Sequence, residues 1–573
     1  MSMLSQAKHS GGQEMLHVIY AVRALLRSFF YPLRLLKKPP DYVLFTLEGE
    51  YPDIPDPKQG FLRRKLLGKK LSLLELGEQF EQVARDRRVR GVVLHIASLK
   101  LSVAQLQTLR GYIAKLRKGG KHVVAWGSMY GMPTYYVAAA SDEILIARGG
   151  SIGQLGVTRG YVFLGDALER IGLKGDFVQI SPYKTAPDVL TRTRMSDEAR
   201  EMANWLLDDT YAAIVDDIAT DRESTPEKIK AIIDGSPYTD EGALDAQAID
   251  GIMNQEDLPA HLGRQGKPAR VAPYTSCRKK LRPRPLVRPG AYIALIRVEG
   301  DIVDGRNGRP PAKPPFRIPF LLNPRAGDLT IVQQVRRVLK DKRAKALVLF
   351  VDSGGGSAAS SEAMSSALRQ LAKKKPIVCC MSSVAASGGY YVATPAKYIV
   401  AQPGTITGSI GVLSGKIINE GMLEKLLINR EVLKRGENAT FYGSERPFTA
   451  QEKERLLASI RHTYSLFLER VSAARGKSKE EIDSIGGGRV WTGRQALEHG
   501  LVDELGGLDV ALSKARELAG LHPRTQVTEI PAPKSSSAPI PSTVALLSYA
   551  TDGLDQLRGG HALCICPLVE RDQ

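Results

Sequence analysis

The chain has 573 residues, with 80 Lys and Arg against 61 Asp and Glu, and a formal net charge of +19. Its 43% hydrophobic and 25% charged residues are close to globular averages, which excludes wholesale disorder, collagen and coiled coil, and five cysteines are too few for a disulfide scaffold. RNA-recognition, zinc-finger and basic-zipper patterns are absent, and the basic runs 63–70 and 278–288 are typical of solvated connections, so no nucleic-acid partner is predicted.

The first apolar segment, residues 15–36, reads MLHVIYAVRALLRSFFYPLRLL. Its three arginines make it a poor spanning helix, because a span needs about 20 predominantly apolar residues. On a helical wheel Arg23, Arg27 and Arg34 fall within roughly 40° of one another, which is typical of a helix lying in the membrane interface. A helix docked on its own domain or on a subunit neighbour fits equally well. We predict membrane association through residues 1–40.

The rest of the chain repeats itself. Five pairs of segments match in the same order: DYVLFTLEGE with AYIALIRVEGD, GVVLHIAS with ALVLFVDS, YYVA with YYVA, GSIG with GSIG, and TDEGALDAQAID with TGRQALEHGLVD. Ordered matches at a nearly constant offset indicate a duplication. We therefore predict two copies, 41–263 and 290–522, joined by a basic Pro-rich linker at 264–289. The flanking parts are the membrane-associating segment 1–40 and a Pro/Ser-rich tail with a short C-terminal element at 523–573.

Each copy alternates short apolar runs with longer amphipathic stretches. The runs are VVLHI, VVAW and ILIA in the first copy, and LVLFV, IVCCM and YIVA in the second. They are rich in β-formers and apolar on both faces, as buried parallel strands are. Between them, VAQLQTLRGYIAKLRK and SEAMSSALRQLAKK predict helices. The sequence thus predicts an α/β fold of two tandem repeats, each with a parallel sheet flanked by helices.

The copies differ after the strand that GVVLHIAS and ALVLFVDS share. The second copy continues with GGGS at 354–357, where the first has LKL at 99–101. A strand that runs into three glycines exposes backbone N–H groups, which can bind a phosphate or an oxyanion. The Gly-Lys-Ser/Thr ending of a P-loop is absent, so nucleotide binding is not predicted. An ordinary tight turn is the alternative.

A second difference concerns a serine. Aligned through YYVA, Ser387 of the second copy faces Met132 of the first. A serine followed by two glycines at the start of a helix can present its hydroxyl and the next backbone N–H to one carbonyl, as nucleophilic acyl transfer requires, although such a motif is also common in turns. A distant Ser-His-Asp triad or a lysine with a lowered pKa could supply the base. Lys184, in SPYKTAP, is such a lysine, unless it is simply a surface residue.

Together the tandem repeat and the motifs SPYKTAP, AASGGYYVATPA, DSGGGS and TGSIGV resemble the long form of the signal peptide peptidase A family. Its members are membrane-associated bacterial serine proteases of the Clp/crotonase superfamily. The resemblance runs from about residue 40 to residue 522, and loosely includes the terminal HALCICPL. The C-x-C of Cys564 and Cys566 in that ending is too little for a zinc site by itself.

The resemblance implies a role for each matching residue. Ser387 would be the nucleophile, Lys184 the general base, and Ser409 the residue that orients the lysine amine. The backbone N–H groups of Gly388 and Gly355 would form the oxyanion hole. The dyad would then join the two copies, and it would need no metal, nucleotide or other cofactor.

The resemblance also implies a substrate class and a location. The expected substrates are cleaved signal peptides and other apolar peptides, and the expected assembly is a homotetramer. The expected place is the bacterial inner (cytoplasmic) membrane, with the catalytic part on the periplasmic side. The charged segment 15–36 stands where the family has a clear span, which leaves the mode and side of attachment open.

The glycine loop departs from the family pattern as well. Gly354 replaces a proline, and Asp352 precedes Ser353 in place of an asparagine. Glycine keeps every N–H of the loop available, so we expect the oxyanion hole to be retained. Two alternatives stay open: a crotonase-like acyl-CoA enzyme, and an oligomeric membrane scaffold that has lost activity.

Overall fold

The structure is a computed structural model that describes Val22, Leu25 and residues 37–55, 70–283, 290–310, 323–532 and 562–566. Apart from Val22 and Leu25, the predicted membrane segment 15–36 lies outside the described residues. Among the described residues, no helix is both long enough and apolar enough to cross a bilayer.

The N-terminal half contains the following strands: β1 (Tyr42–Gly49), β2 (Gly91–Leu99), β3 (His122–Tyr130), β4 (Glu143–Ile152), β5 (Lys174–Gln179), β6 (Tyr238–Thr239), β7 (Gly251–Ile252) and β8 (Val271–Pro273). Its helices are α1 (Leu73–Ala84), α2 (Val103–Lys118), α3 (Met132–Ala138), α4 (Gly165–Arg170), α5 (Asp188–Thr191), α6 (Asp197–Asp221), α7 (Pro226–Asp234), α8 (Asp240–Asp245), α9 (Leu258–His261) and α10 (Tyr274–Cys277). All of these strands except β5 form one sheet, in the order β8-β1-β2-β3-β4-β6, with β7 also paired to β4.

The C-terminal half contains the following strands: β9 (Tyr292–Glu299), β10 (Asp301–Val303), β11 (Arg325–Gly327), β12 (Ala344–Ser353), β13 (Gly355–Ser357), β14 (Ile377–Ala386), β15 (Tyr398–Ala401), β16 (Ile406–Gly408), β17 (Leu413–Ile418), β18 (Val490–Thr492), β19 (Glu504–Leu505), β20 (Gln526–Glu529) and β21 (Leu563–Ile565). Its helices are α11 (Asp328–Lys340), α12 (Ala358–Ala372), α13 (Gly388–Ala393), α14 (Glu420–Lys425), α15 (Ala450–Arg475), α16 (Lys479–Ile485), α17 (Gly493–Glu498) and α18 (Leu508–Leu518). The main sheet has the order β20-β9-β12-β14-β16-β18, with β15 between β14 and β19.

The two main sheets have equivalent strand orders, which confirms the predicted α/β fold of two repeats. In both sheets the central strands pair in parallel. All six predicted apolar runs lie in strands, and all ten residues of β14 are buried because helices cover the sheet. The stretch VAQLQTLRGYIAKLRK is α2 itself, which begins where the Ser102 hydroxyl accepts a hydrogen bond from the Gln105 N–H.

A third sheet joins the two halves. Its order is β11-β10-β13-β21-β17-β5, so β5 of the N-terminal half completes a sheet that otherwise belongs to the C-terminal half. The pairing of β5 with β17 is antiparallel and covers six residue pairs, from Leu413 opposite Gln179 to Ile418 opposite Lys174. This sheet fixes the chain that follows β5 against the C-terminal copy.

Each main sheet has a strand from the segment that follows its copy. Val271–Pro273, inside the predicted linker, pairs with β1, and Gln526–Glu529, inside the predicted tail, pairs with β9. Both strands close the same edge of equivalent sheets. The predicted domain boundaries themselves stay predictions.

Candidate active site

Ser387 lies in the turn between β14 and α13. Its backbone has φ 55° and ψ −116°, a sparsely populated conformation that costs about 1–3 kcal/mol and persists only where the surroundings impose it. Its N–H donates to the Gly408 carbonyl at 2.8 Å, and its carbonyl accepts from the Tyr391 N–H at 2.8 Å. The turn therefore holds the hydroxyl at the N-terminus of a helix.

Lys184 reaches Ser387 from the N-terminal half. Beyond the β5–β17 pairing, the Ile180 N–H donates to the Val412 carbonyl at 3.0 Å. The Ser181 hydroxyl then donates to the Gly487 carbonyl. These contacts carry the SPYKTAP loop into the C-terminal copy, and Lys184 is fully buried there.

The Lys184 amine is within hydrogen-bond distance of three oxygens. Nζ lies 2.7 Å from Ser387 Oγ, 2.9 Å from the Ser409 carbonyl oxygen and 3.0 Å from Ser409 Oγ. Burial lowers the pKa of Lys184 to about 8, because the ammonium form loses its hydration. A neutral amine has two N–H donors and one lone pair, so it can donate to both Ser409 oxygens and accept from the Ser387 hydroxyl.

Backbone geometry holds the lysine in this position. Ser409, directly after β16, has φ 50°, and its N–H donates to the Arg489 carbonyl at 2.6 Å. Gly488 has φ +97°, and a Cβ there would lie 2.7 Å from Lys184 Cα. Glycine at 488 thus lets the two backbones approach closely.

The glycine loop lies beside the serine turn. Gly355 and Gly356 have φ +106° and +153°, and a Cβ on Gly355 would lie 2.7 Å from the Gly388 nitrogen. The two predicted oxyanion-hole residues, Gly355 and Gly388, are therefore neighbours. The Gly355 N–H donates to Ser353 Oγ at 3.1 Å, and that hydroxyl donates to the Gly300 carbonyl at 2.5 Å.

The C-terminal strand β21 lies along this loop. It pairs antiparallel with β13, and Cys564 is opposite Gly356. The Ala358 N–H donates to the Ala562 carbonyl at 3.0 Å, and the Cys566 N–H donates to the Gly354 carbonyl at 2.7 Å. An extended peptide segment of the chain itself therefore occupies the groove next to the serine turn.

The Cys564 side chain is next to the two reactive groups. Its thiol lies beside Ser387 and Lys184, and burial raises the pKa of the thiol to about 11. Ser387, Lys184 and Ser409 are all fully buried with β21 in place. In this arrangement the serine hydroxyl is closed to solvent, and β21 is one of the elements beside it.

The sequence did not predict this contact of Cys564 and Cys566. Both cysteines are buried and form no disulfide, and they face the dyad because the groove accepts an extended segment. Two signals were available: the apolar run ALCIC at the end of a polar tail, and the loose family resemblance there. Neither signal says where a terminal strand binds.

The described residues favour a lysine over the histidine alternative. No histidine in the described part of the chain hydrogen-bonds to Ser387, whereas the Lys184 amine does. In that same part, no group of three or more His, Cys, Asp or Glu side chains is placed to hold a metal ion. A buried hydroxyl, a buried amine and neighbouring backbone N–H groups can together perform acyl transfer.

Comparisons with known proteins identify the family. The family model described as peptidase family S49 matches the chain twice, over residues 115–267 and 369–522. Serine protease SPPA, chloroplastic, of Arabidopsis thaliana is 30% identical over 503 residues, which cover 86% of this chain and 72% of that protein. Protease 4 of Salmonella typhi is 30% identical over 508 residues (84% and 78%), and Protease 4 of Haemophilus influenzae 27% over 478 residues (80% and 75%). The chain belongs to peptidase family S49 and is a serine peptidase.

Proposed function

We propose that the chain is a membrane-associated endopeptidase with a Ser387–Lys184 dyad, which cleaves signal-peptide remnants and other apolar peptides. The observation that carries the proposal is the 2.7 Å separation of Lys184 Nζ and Ser387 Oγ in a fully buried setting. A buried lysine is neutral over a wider pH range than an exposed one, so it can take a proton from a serine hydroxyl.

In the acylation step, Ser387 Oγ attacks the peptide carbonyl carbon while its proton moves to Lys184 Nζ. The carbonyl oxygen gains negative charge in the tetrahedral intermediate. The C–N bond then breaks, the proton on Lys184 passes to the leaving amine, and an ester joins the peptide to Ser387. Ser409 keeps the amine aimed at the serine through both steps.

The N–H groups of Gly388 and Gly355 stabilise the developing oxyanion. The Gly388 N–H starts a helix and has the favourable dipole of that position. The Gly355 N–H must be shared with Ser353 Oγ, which it contacts in the resting arrangement. In deacylation, water gives a proton to Lys184 as its oxygen attacks the ester carbon. The bond between that carbon and Ser387 Oγ then breaks, the peptide leaves with a free carboxyl group, and the proton on Lys184 returns to Ser387 Oγ.

The surroundings of the groove favour apolar peptides. Cys566, at the end of β21, packs with buried apolar side chains from both halves: Met202, Leu206, Val384, Ala386, Ile406 and Val490. A substrate strand in the same place would put its side chains on this surface. Signal-peptide remnants are rich in such side chains, which agrees with the substrate class that the resemblance implies.

A serine-directed fluorophosphonate probe tests the dyad. The wild type should be labelled on Ser387, identified by mass spectrometry, and Ser387→Ala should lose the label and the peptidase activity. Ser383→Ala is the matched control, because Ser383 lies on the same strand and hydrogen-bonds to Ser102 at 2.7 Å, away from Lys184. Full activity of purified Ser387→Ala would refute the dyad. If the chain bound acyl-CoA tightly and Ser387→Ala had no effect on its activity, the acyl-CoA enzyme would be favoured. A wild type that the probe does not label would favour the inactive scaffold.

We further propose that residues 15–36 attach the peptidase to the bacterial inner membrane, with the catalytic part on the periplasmic side and the chain assembled as a homotetramer. The support is the family and the clustered arginines of this segment. Flotation with anionic lipid vesicles tests the attachment. Deleting residues 1–40 should abolish flotation, and unchanged flotation would place the attachment elsewhere.

A further inference from the structure

A run of apolar side chains near the end of α14 is exposed. Leu427 and Leu433 are 89% and 92% exposed, and Leu426, Ile428 and Val432 are about half exposed. Single exposed apolar residues are ordinary, but a contiguous group marks an interaction site. None of these residues belongs to the groove or the dyad.

The internal repeat shows what the equivalent residues of the N-terminal half do. Helices α4 and α14 are equivalent: each has six residues, and Ile171 and Leu426, which end them, share φ −90° and ψ 3°. Counting onward from these helices, residues 174–179 correspond to residues 429–434. The first of these segments is β5, whereas 429–434 belongs to no strand, and all six of its residues are at least partly exposed.

The strand that receives β5 also has an equivalent. β17 directly precedes α14 in the chain, as residues 158–163 directly precede α4. Residues 158–163 form no strand in the described chain, and Val162 is 60% exposed. In the described part of the chain, β5 pairs with β17. The segments equivalent to these two strands, residues 429–434 and 158–163, do not pair with each other there.

The glycines at equivalent positions show the same contrast. Gly415 on β17 is opposite Phe177 of β5, and a Cβ on Gly415 would lie 2.2 Å from the Phe177 ring. Gly160 is the equivalent of Gly415, and a Cβ there would meet nothing within 4 Å. The position that Phe177 fills beside Gly415 is thus open beside Gly160.

We propose that residues 429–434 of one molecule pair antiparallel with residues 158–163 of a second copy, and so repeat between molecules the pairing of β5 with β17. The register follows from the repeat: Lys434 lies opposite Thr158, Val432 opposite Gly160, and Asn429 opposite Phe163. Val432 takes the place of Phe177, and Leu433 that of Val178. Val432 and Leu433 of the exposed apolar run thereby pack against a partner of known sequence.

This interface joins different surfaces of the two molecules. Each molecule offers 429–434 on one side and 158–163 on the other, so repetition produces a ring if the rotation closes. The junction between molecules is not catalytic, because Ala439 and Met132 stand at the positions of Lys184 and Ser387. The proposal specifies the interface of the assembly proposed above. The test of this interface measures molecular mass, so the interface can be refuted even when Ser387 is labelled. Equally, the interface can be supported when Ser387 is not labelled.

The experiment uses two full-length variants, each with one altered surface. Variant one is Val432→Asp/Leu433→Asp, and variant two is Val162→Asp. Light scattering after gel filtration should find each variant at the 62.5 kDa of one chain, at concentrations where the wild type is assembled. Leu329→Asp is the control, because Leu329 is 54% exposed on α11 and lies outside both segments; it should assemble as the wild type does.

Mixing the variants gives the sharper result. Variant one keeps an intact 158–163, and variant two keeps an intact 429–434, so the mixture should form dimers and nothing larger. Circular dichroism and labelling of Ser387 establish that each variant is folded. A monomeric wild type, or folded variants that assemble like the wild type, would overturn the proposal. A mixture that stays monomeric would also overturn it.

Discussion

In each copy of the repeat a central strand turns into a short helix at the same aligned position. In the N-terminal copy β3 leads into α3; Gly131 caps the helix with φ −109°, and Met132 is its first residue. In the C-terminal copy β14 leads into α13, and Ser387 precedes the helix with φ 55°. The residue that aligns with the serine is thus an ordinary helical residue, whereas the serine has a strained turn conformation.

The GSIG motifs differ in the same way. Ser409 contacts the Lys184 amine, which arrives from the other half of the molecule. Its counterpart Ser151 lies in β4, opposite Thr239, and no lysine amine hydrogen-bonds to it in the described chain. The duplicated fold therefore supplies two equivalent scaffolds. We propose that the strained turn and the strand that brings Lys184 make one of them reactive.

Replacing Lys184 should have the largest effect. Lys184→Met keeps the length of the side chain but removes the base, so kcat should fall by about 10²- to 10⁴-fold, the usual contribution of general base catalysis. Lys184→Arg should be equally impaired, because a guanidinium keeps its proton. The measurement is hydrolysis of an apolar fluorogenic peptide, with circular dichroism as the folding check. Lys174→Met, an exposed position on β5, is the control, and retention of most activity by Lys184→Met would remove the lysine from the mechanism.

The pH dependence of the wild type should show the same residue. Burial lowers the pKa of Lys184 to about 8, and the reaction needs the neutral amine. Below that pKa, kcat/KM should therefore rise about tenfold per pH unit, and it should level off above about pH 9. At low pH the Lys184 amine is charged and cannot accept the serine proton, so activity falls as the pH is lowered. Cys564, the thiol facing the amine, has a pKa raised to about 11 and stays neutral over this range. A flat profile between pH 6 and 9 would contradict the assignment.

The sequence predicted the elements better than their connections. Runs such as VVLHI and IVCCM predict buried strands because both faces are apolar, and they form β2 and β14. The sequence could not predict that β5 leaves its own copy to pair with β17. The local sequence pattern determines that a segment is extended, but it does not determine which sheet edge the segment joins. The location of Cys564 over Ser387 was unpredictable for the same reason. The serine and lysine were identifiable because the repeat broke at their positions and because the motifs resemble a family.

Removing the C-terminal strand should have a smaller effect in the opposite direction. Since Cys564 of β21 lies beside the buried Ser387, we expect a chain that ends after His561 to react with the fluorophosphonate several-fold faster than the full chain. A chain that ends after Cys566 keeps β21 and is the matched control. The synthetic peptide Ala-Leu-Cys-Ile-Cys, added to the shorter chain, should slow labelling again, and a scrambled peptide should not. Equal labelling rates of the two truncated chains would show that the strand does not restrict access.

The last variant alters the N-terminal copy, and we expect it to have no effect on labelling. In a Ser387→Ala background, Met132→Ser puts a hydroxyl at the aligned position of the other copy. Labelling should stay at the level of Ser387→Ala alone. Residue 132 lies on a helix and lacks the positive φ of Ser387, and Lys184 lies beside residue 387 of the other copy. Ordinary exposed serines do not react with such probes, since an unactivated hydroxyl is a weak nucleophile. Labelling above that level would mean that the scaffold alone activates a serine, and that the lysine and the strained turn are not what separates the two copies.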